Sequence, residues 1–404
     1  MLKTFYGENA DEKLCRGRIE KLKETFFKAE GAYPERIFSS PGRAEILGNH
    51  TDHNHGKVIV SAISCDVLAA VSSRADGKIK VISEGFKPII VDVTNLEKDE
   101  KEYGTSVALV KGVANALKEK NLPIGGFTAY LTSNVFKGAG VSSSAAFEVL
   151  IAEIFNALYL GGKLSAMEKA VISQYAENVY FGKPCGLLDQ SGIAIGGLTE
   201  LDFEFPTSPK VVSLGKIHGY SLIITNTGGD HAALTPHYAA IRSEMESVAG
   251  FFGKKVLREV PYDAFYEHIG ELMDKFSGRA ILRALHFYEE NERVDKAAKA
   301  ILSGDTSAFL DAVEKSGLSS LNKLQNCSVP GDEMQSVVLG IELSRRIIKD
   351  GAVRVHGGGF AGSILAVVAD GETESYLSQM RKWFGDDNVF KSEIRQVGTA
   401  ELKL

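Results

Sequence analysis

Over residues 57–93 apolar and polar residues alternate in four short runs, 57-KVIVSAI-63, 66-DVLAAVSS-73, 78-KIKVIS-83 and 88-PIIVDV-93. Period-two patterning with turn residues between several of the runs predicts successive strands. Ahead of them, residues 11–30 have helical spacing, and 104-GTSVALVKGVANALKEKN-121 repeats its apolar positions at three and four. A strand at 126-GFTAYLTSNV-135, a glycine–serine turn and helices over about 141–160 and 164–180 follow. This is a mixed α+β first half, not a regular βαβ array.

Strand patterning returns at 197-GLTELDFEF-205, and 206-PTSPK-210 reads as a linker. One strand, 219-GYSLIITN-226, opens the second half, and mainly helical spacing continues to about residue 349. The chain then runs through 352-AVRVHGGGFAGSILAVVA-369, a helix over 373–383 and a strand near 390–396. That ending predicts a ferredoxin-like α+β sandwich. The chain is 404 residues long, so two domains of roughly 200 residues are expected, here 1–205 and 206–404.

Composition narrows the function classes. A net charge of -6 with no basic stripe argues against a nucleic-acid partner. No apolar run reaches the roughly 18 residues of a membrane span, and the charged start lacks the apolar heart of a signal peptide. Cys15, Cys65, Cys185 and Cys327 are scattered, as expected of reduced thiols in a cytoplasm rather than a disulfide or zinc framework. Nothing in the pattern demands more than a monomer.

Three stretches carry chemistry. In 40-SPGRAEILGNHTDHNHG-56, ionisable and amide side chains crowd between glycines. Neither a solvated loop nor a core strand is expected to hold such an assortment. In 135-VFKGAGVSSSAAFEVLIAEIF-155, a strand runs through Gly138, Ala139, Gly140 and Val141 into Ser142, Ser143, Ser144 and Ala145, where a helix begins. Glycines let consecutive N–H groups converge, and the helix start adds free donors and partial positive charge. The stretch reads either as a phosphate cradle or as a capped helix after a tight turn. Neither G-x-x-x-x-G-K-[ST] nor G-x-G-x-x-G is present, which leaves P-loop and Rossmann sites unsupported. In 354-RVHGGGFAGSILAVV-368, four glycines sit between β-branched runs, more than a permissive turn requires.

Together these motifs resemble the GHMP kinase superfamily and, within it, the galactokinases. The opening signature is PGRAEILGNHTDH, the cradle GAGVSSSA and the third motif GGGFAG. Two further segments, 175-YAENVYFGKPCGLLDQSG-192 and 225-TNTGGDHAALTPHY-238, are also similar to galactokinase segments. The resemblance covers essentially the whole chain. It implies a ribosomal-protein-S5-like N-terminal domain, a ferredoxin-like C-terminal domain and an active site in the cleft between them. The implied activity is MgATP-dependent phosphorylation of a sugar at its anomeric hydroxyl, with sugar and MgATP as the partners.

The resemblance also implies roles. Asp189 would sit by the sugar O1 as base or orienter, and Arg43 would hold it ionised while facing the transferring phosphoryl group. The cradle, Gly138 to Ala145, would grip the ATP phosphates. Glu177 and Ser144 would bind Mg²⁺. Asn49, His50, Asp52, Gly186 and Tyr238 would contact the sugar. Taken alone, Asp189 and Glu177 would be an N-cap and an exposed helix carboxylate.

Two departures bear on the acceptor. Asn49 stands where galactokinases have a glutamate that accepts from the sugar O6 hydroxyl, and His53 where they have tyrosine. Glu45 occupies a usual asparagine position, as if acid and amide had traded places. Galactose is the first expectation and galacturonate, whose C6 carboxylate an acid would repel, the second. A non-catalytic sugar sensor is the third, against which the intact serines, Arg43, Glu177 and Asp189 speak. Lys137 and Asp230 also depart from the family pattern.

Overall fold

The computed structural model describes residues 2–7, 10–135, 140–229 and 234–403. Twelve strands are found among them: β1 (Arg36–Leu47), β2 (Lys57–Arg74), β3 (Lys78–Ser83), β4 (Ile89–Asp92), β5 (Gly126–Ser133), β6 (Leu198–Asp202), β7 (Lys210–Ser213), β8 (Tyr220–Gly228), β9 (Gly351–His356), β10 (Gly362–Ala369), β11 (Val389–Ser392) and β12 (Ala400–Glu401). They form two sheets, as expected of the two-domain GHMP kinase fold.

The larger sheet runs β12-β1-β2-β5-β3-β4, with β6 on β2 and β7 on β6. All its pairings are antiparallel except β3 with β5. The expected strands 57–63 and 66–73 are one continuous strand, β2. It stays whole because its first half pairs β6, its second half β5, and β1 lies along most of its length. Asp66, which looks like a break in the apolar pattern, is buried and bonded to Tyr6, Ser39 and Arg18.

A second correction concerns residues 36–47. The charge-rich stretch does enter a core strand: every residue of β1 after Arg36 is buried. The strand tolerates Arg43 and Glu45 because each charge has a dedicated partner, which is the condition for burying ions.

The smaller sheet runs β11-β8-β10-β9, all antiparallel. Its period-two pattern sorts side chains between two cores. Ile223, Val353, Val355, Ile364, Ala366 and Val368 pack with helices Ser336–Ile347 and Thr373–Phe384. Leu222, Ile224, Ala352, Leu365 and Val367 turn instead into the large core of the first sheet. That large core therefore spans both sheets. The first sheet also takes β7 and β12 from beyond residue 205, so the 205/206 division cuts through it. A third core gathers helix Thr235–Phe251, short helices over 262–275 and the first turns of Gly278–Ser303.

Candidate active site

Helix Ser143–Tyr159 starts beside β1, and this brings the serine-rich turn to Arg43. Gly140 (φ +66°) and Ser142 (φ +58°) both adopt left-handed backbone, turning the chain sharply into the helix. Ser142 occupies the N-cap position but makes no cap bond. Its hydroxyl donates to Asp189 Oδ2 instead. A residue suited to capping is thus diverted to another partner, which is a sign of function over local stability.

Asp189 lies in the first turn of helix Leu188–Ile195, and its side chain is 35% exposed. Arg43 grips it bidentately, Nε to Oδ1 at 2.6 Å and Nη2 to Oδ2 at 2.9 Å. The third guanidinium nitrogen, Nη1, donates to the Gly140 carbonyl. Burial pushes the Asp189 pKa up, but the Arg43 charge and the hydrogen bonds from Arg43 and Ser142 outweigh it and hold it below the usual carboxylate range. Gly357, at the start of the β9–β10 hairpin loop, completes this junction: a Cβ there would lie 3.3 Å from the Gly140 carbonyl and 3.5 Å from Arg43 Nη2. The first, second and third sequence motifs therefore meet at one point.

Glu177 sits on a π-helical turn, Ala176–Phe181, a wide turn often used to re-aim a functional side chain. Its Oε1 accepts from Ser144 Oγ at 3.3 Å and from Lys183 Nζ at 3.3 Å. Its Oε2 accepts from Gln190 Nε2 at 2.8 Å. Among the described residues no three His, Cys, Asp or Glu side chains gather into a metal cage. Magnesium held chiefly through nucleotide phosphates needs only one or two protein oxygens, and the Ser144–Glu177 pair fits that demand.

The expected sugar-contacting residues divide. His50, Asp52, Gly186 and Tyr238 are brought together. His50 (φ +58°) bonds the Gly358 carbonyl through Nε2 at 2.9 Å, and its ring stacks on Tyr238 with centroids 6.4 Å apart. Burial pushes the His50 pKa down to about 4, leaving a neutral imidazole at pH 7. The Tyr238 hydroxyl donates to the Gly359 carbonyl at 3.1 Å. Asp52 accepts from the N–H groups of His53 (3.0 Å) and Leu188 (3.1 Å), bridging the residue-50 loop to the helix that carries Asp189. Burial raises its pKa against the effect of those bonds. A Cβ on Gly186 would come within 1.8 Å of the Asp52 carboxylate, so only glycine permits this approach.

Asn49 does not join them, and its expected sugar contact needs correcting. It is fully buried. Its Nδ2 donates to Glu45 Oε1 and to the Gly357 carbonyl, both at 2.8 Å. Its Oδ1 accepts from Asn326 Nδ2 at 2.7 Å and Ser320 Oγ at 3.2 Å. An amide has two donor hydrogens and two acceptor lone pairs, and all four are used. The acid and amide that traded places along the chain are bonded directly, and Arg354 Nη2 neutralises Glu45 at 3.0 Å. Burial still pushes the Glu45 pKa up to about 7.

Of the cradle, Gly140 to Ala145 are described, with Val141 and Ala145 buried so that only their backbone is available. Gly138, Ala139, Lys137 and Asp230 lie outside the described residues. Sequence reasoning missed Lys183, Gln190, Glu148, Asn326 and Arg354. A signal existed for Glu148: it is a carboxyl within the apolar run 145-AAFEVLIAEIF-155 and is wholly buried.

Comparison with known proteins shows which families the chain is similar to. The family description "GHMP kinases N terminal domain" matches residues 108–197, and "Galactokinase galactose-binding signature" matches residues 24–73. The galactokinase of Streptomyces coelicolor is 34% identical over 355 residues, 85% of this chain and 87% of that protein. The galactokinase of Lacticaseibacillus casei is 29% identical over 92% of this chain and 93% of its own length. The crystal structure of Lactococcus lactis galactokinase complexed with galactose superposes with a TM-score of 0.84, covering 95% of this chain and all of that one at 24% identity.

Proposed function

Because the chain belongs to the galactokinase family of the GHMP kinases, we propose that it transfers the terminal phosphoryl group of ATP to the anomeric hydroxyl of galactose. The observation that carries this reading is the bidentate Arg43–Asp189 pair, reached by Ser142 and set against Gly140 and Gly357.

Phosphoryl transfer passes through a loose transition state, so the protein chiefly positions reactants and balances spreading charge. Asp189 orients the sugar hydroxyl by accepting its hydrogen bond. A carboxylate held below its usual pKa is a weak base, so orientation and field come before proton abstraction. Arg43 keeps that carboxylate ionised and turns its remaining positive face toward the serine-rich turn, where phosphate oxygens would lie. The N–H groups at the start of helix Ser143–Tyr159 receive those oxygens. Ser144 and Glu177 would hold Mg²⁺, which when bound neutralises phosphate charge. His50, Asp52 and Tyr238 offer the ring hydroxyls a neutral imidazole, a carboxyl and a phenol, while Gly186 lets the sugar and Asp52 come close.

We place the reaction in the cytoplasm. All four cysteines are free, as a reducing compartment would keep them, and no helix among the described residues is long and apolar enough to cross a membrane.

The test is ADP release with ATP and either galactose or galacturonate, with the phosphorylated position read by ³¹P NMR. Faster turnover of galactose and phosphate at C1 are expected. Faster turnover of galacturonate would overturn the acceptor, and no ADP release with either sugar would overturn catalysis.

A further inference from the structure

Behind Glu177 lies a second carboxyl with no assigned part in the reaction. Glu148 is wholly buried, and between it and Glu177 stands the side chain of Gln190, also wholly buried. Gln190 Nε2 is 2.8 Å from Glu177 Oε2 and 3.4 Å from Glu148 Oε2. The amide orientation follows from chemistry: reversed, its oxygen would face the Glu177 oxygen with no hydrogen between them. Glu148 Oε1 and Gln190 Oε1 have no protein partner although both are buried. Unpartnered buried polar atoms are costly, at about 1–3 kcal/mol each, and a core designed for stability alone would fill this space with apolar side chains.

Gln190 also follows Asp189 directly in helix Leu188–Ile195. One short helix therefore sends adjacent side chains to two different tasks, Asp189 to Arg43 and Gln190 to Glu177. With Oε2 held by the amide, Oε1 is the oxygen left toward Ser144 and Lys183, on the side of the serine-rich turn. A carboxylate without such a clamp rotates about its terminal torsion, which is soft and roughly two-fold.

We propose that Gln190 is a positioning residue for the metal: it fixes the rotation of Glu177, holds it off Glu148, and ties the placement of Mg²⁺ to the helix that carries Asp189. This rests on Glu177 as the metal ligand, as proposed above. Partners that orient a ligating carboxylate from behind are worth roughly 10–100-fold in metal affinity.

The experiment measures Mn²⁺ bound by the enzyme with a non-hydrolysable ATP analogue, by electron paramagnetic resonance, and galactose binding by calorimetry. Variants are Gln190→Met, Gln190→Asn, which keeps the amide but loses its reach, and Glu177→Gln as control. Folding is checked by thermal melting. All three are expected to weaken Mn²⁺ binding, the Gln190 variants by about 10-fold, with galactose affinity unchanged. If Glu177→Gln weakens Mn²⁺ but the Gln190 variants bind it like wild type, the positioning role is wrong and the metal site stands. If Glu177→Gln also binds Mn²⁺ normally, the metal site and this inference fall together. Loss of galactose binding in Gln190→Asn to the same degree as Mn²⁺ binding would mark Gln190 as merely structural.

Discussion

Two charged pairs drawn from one short strand behave in opposite ways. Arg43 and Asp189 form a bidentate pair whose carboxylate is 35% exposed. Glu45, two residues further along β1, forms with Arg354 of β9 a pair that is almost wholly enclosed, at 6% and 0% side-chain exposure. The enclosed pair belongs to a closed network: Asn49 is saturated by Glu45, Gly357, Asn326 and Ser320, and Glu290 accepts from Gly48, Ser316 and Arg293. His286 bonds the Asn49 carbonyl at 2.8 Å. The open pair retains capacity for a ligand, whereas the enclosed pair is shut away from solvent even though Arg354 Nε lacks a partner among the described residues. The neighbouring Gly48 and Asn49 tie the residue-50 loop to Glu290 and His286 of helix Gly278–Ser303. An arginine–carboxylate pair anchored on β1 is thus left open to a ligand or enclosed as architecture according to how far solvent reaches it.

If that distinction is right, damage to the closed network costs stability, while damage to the open pair costs turnover. The largest effect is expected from Arg354→Met, which forces Glu45 to take up a proton in the core and leaves the buried Ile46 carbonyl without its donor. Removing one partner of a buried pair typically costs about 3–5 kcal/mol, to be read from urea unfolding. Arg43→Met comes next: turnover should fall by about 10²–10³-fold, the scale of losing one preorganised electrostatic contact, as measured by steady-state ADP release. An unfolding loss as large as that of Arg354→Met would erase the contrast.

Asn49→Glu sharpens it further. Were residue 49 a sugar contact, the added charge would reorder preference among sugars. Placed against Glu45 without its donors, it should instead cost about 1–3 kcal/mol of stability and leave the galactose-to-galacturonate ratio alone. Competition assays and thermal melting separate the two.

The smallest effect is one of pH. Burial opposes ionisation of Glu290, but His286, Arg293 and Arg354 outweigh it and lower its pKa to about 2, below the 4.5 of a free side chain. An acid with a depressed folded pKa stabilises above its unfolded pKa, and that contribution is lost as pH falls through the folded value. Glu290→Gln should therefore be less stable than wild type at pH 7. The gap should narrow from pH about 4.5 downward, by up to about 1.4 kcal/mol per pH unit. A gap constant across that range would remove Glu290 from the ionised network.

Much of the fold was legible in the sequence. The 354–368 segment is a strand–turn–strand whose glycines are needed: a Cβ at Gly358 would strike Tyr238 at 2.6 Å and one at Gly359 the Asn326 carbonyl at 2.2 Å. The helix beginning beside Ser142 and the strands of the smaller sheet also followed from periodicity. Residues 36–47 did not. Their charges break the apolar pattern, and what makes them compatible with a core strand comes from Asp189 and Arg354, far away in sequence. Of the site, the glycine–serine turn carried a signal of its own, whereas Arg43, Asp189 and Glu177 were singled out only through the resemblance to galactokinase motifs, since alone the two acids read as an N-cap and an exposed helix carboxylate. Asn49 was misread, since its saturation by Ser320 and Asn326 is invisible without tertiary structure. Gln190 was passed over because an amide beside a carboxylate has no local signature.

The proposed reaction needs an ionised Asp189 presented by Arg43 and Ser142 at the reacting oxygen. Asp189→Asn removes the charge and keeps the shape, and its turnover on galactose, set beside calorimetric binding of galactose and an ATP analogue, tests this most directly. A loss of about 10²–10⁴-fold in kcat with both ligands still bound is the predicted result. Wild-type-like turnover in the folded variant would contradict it.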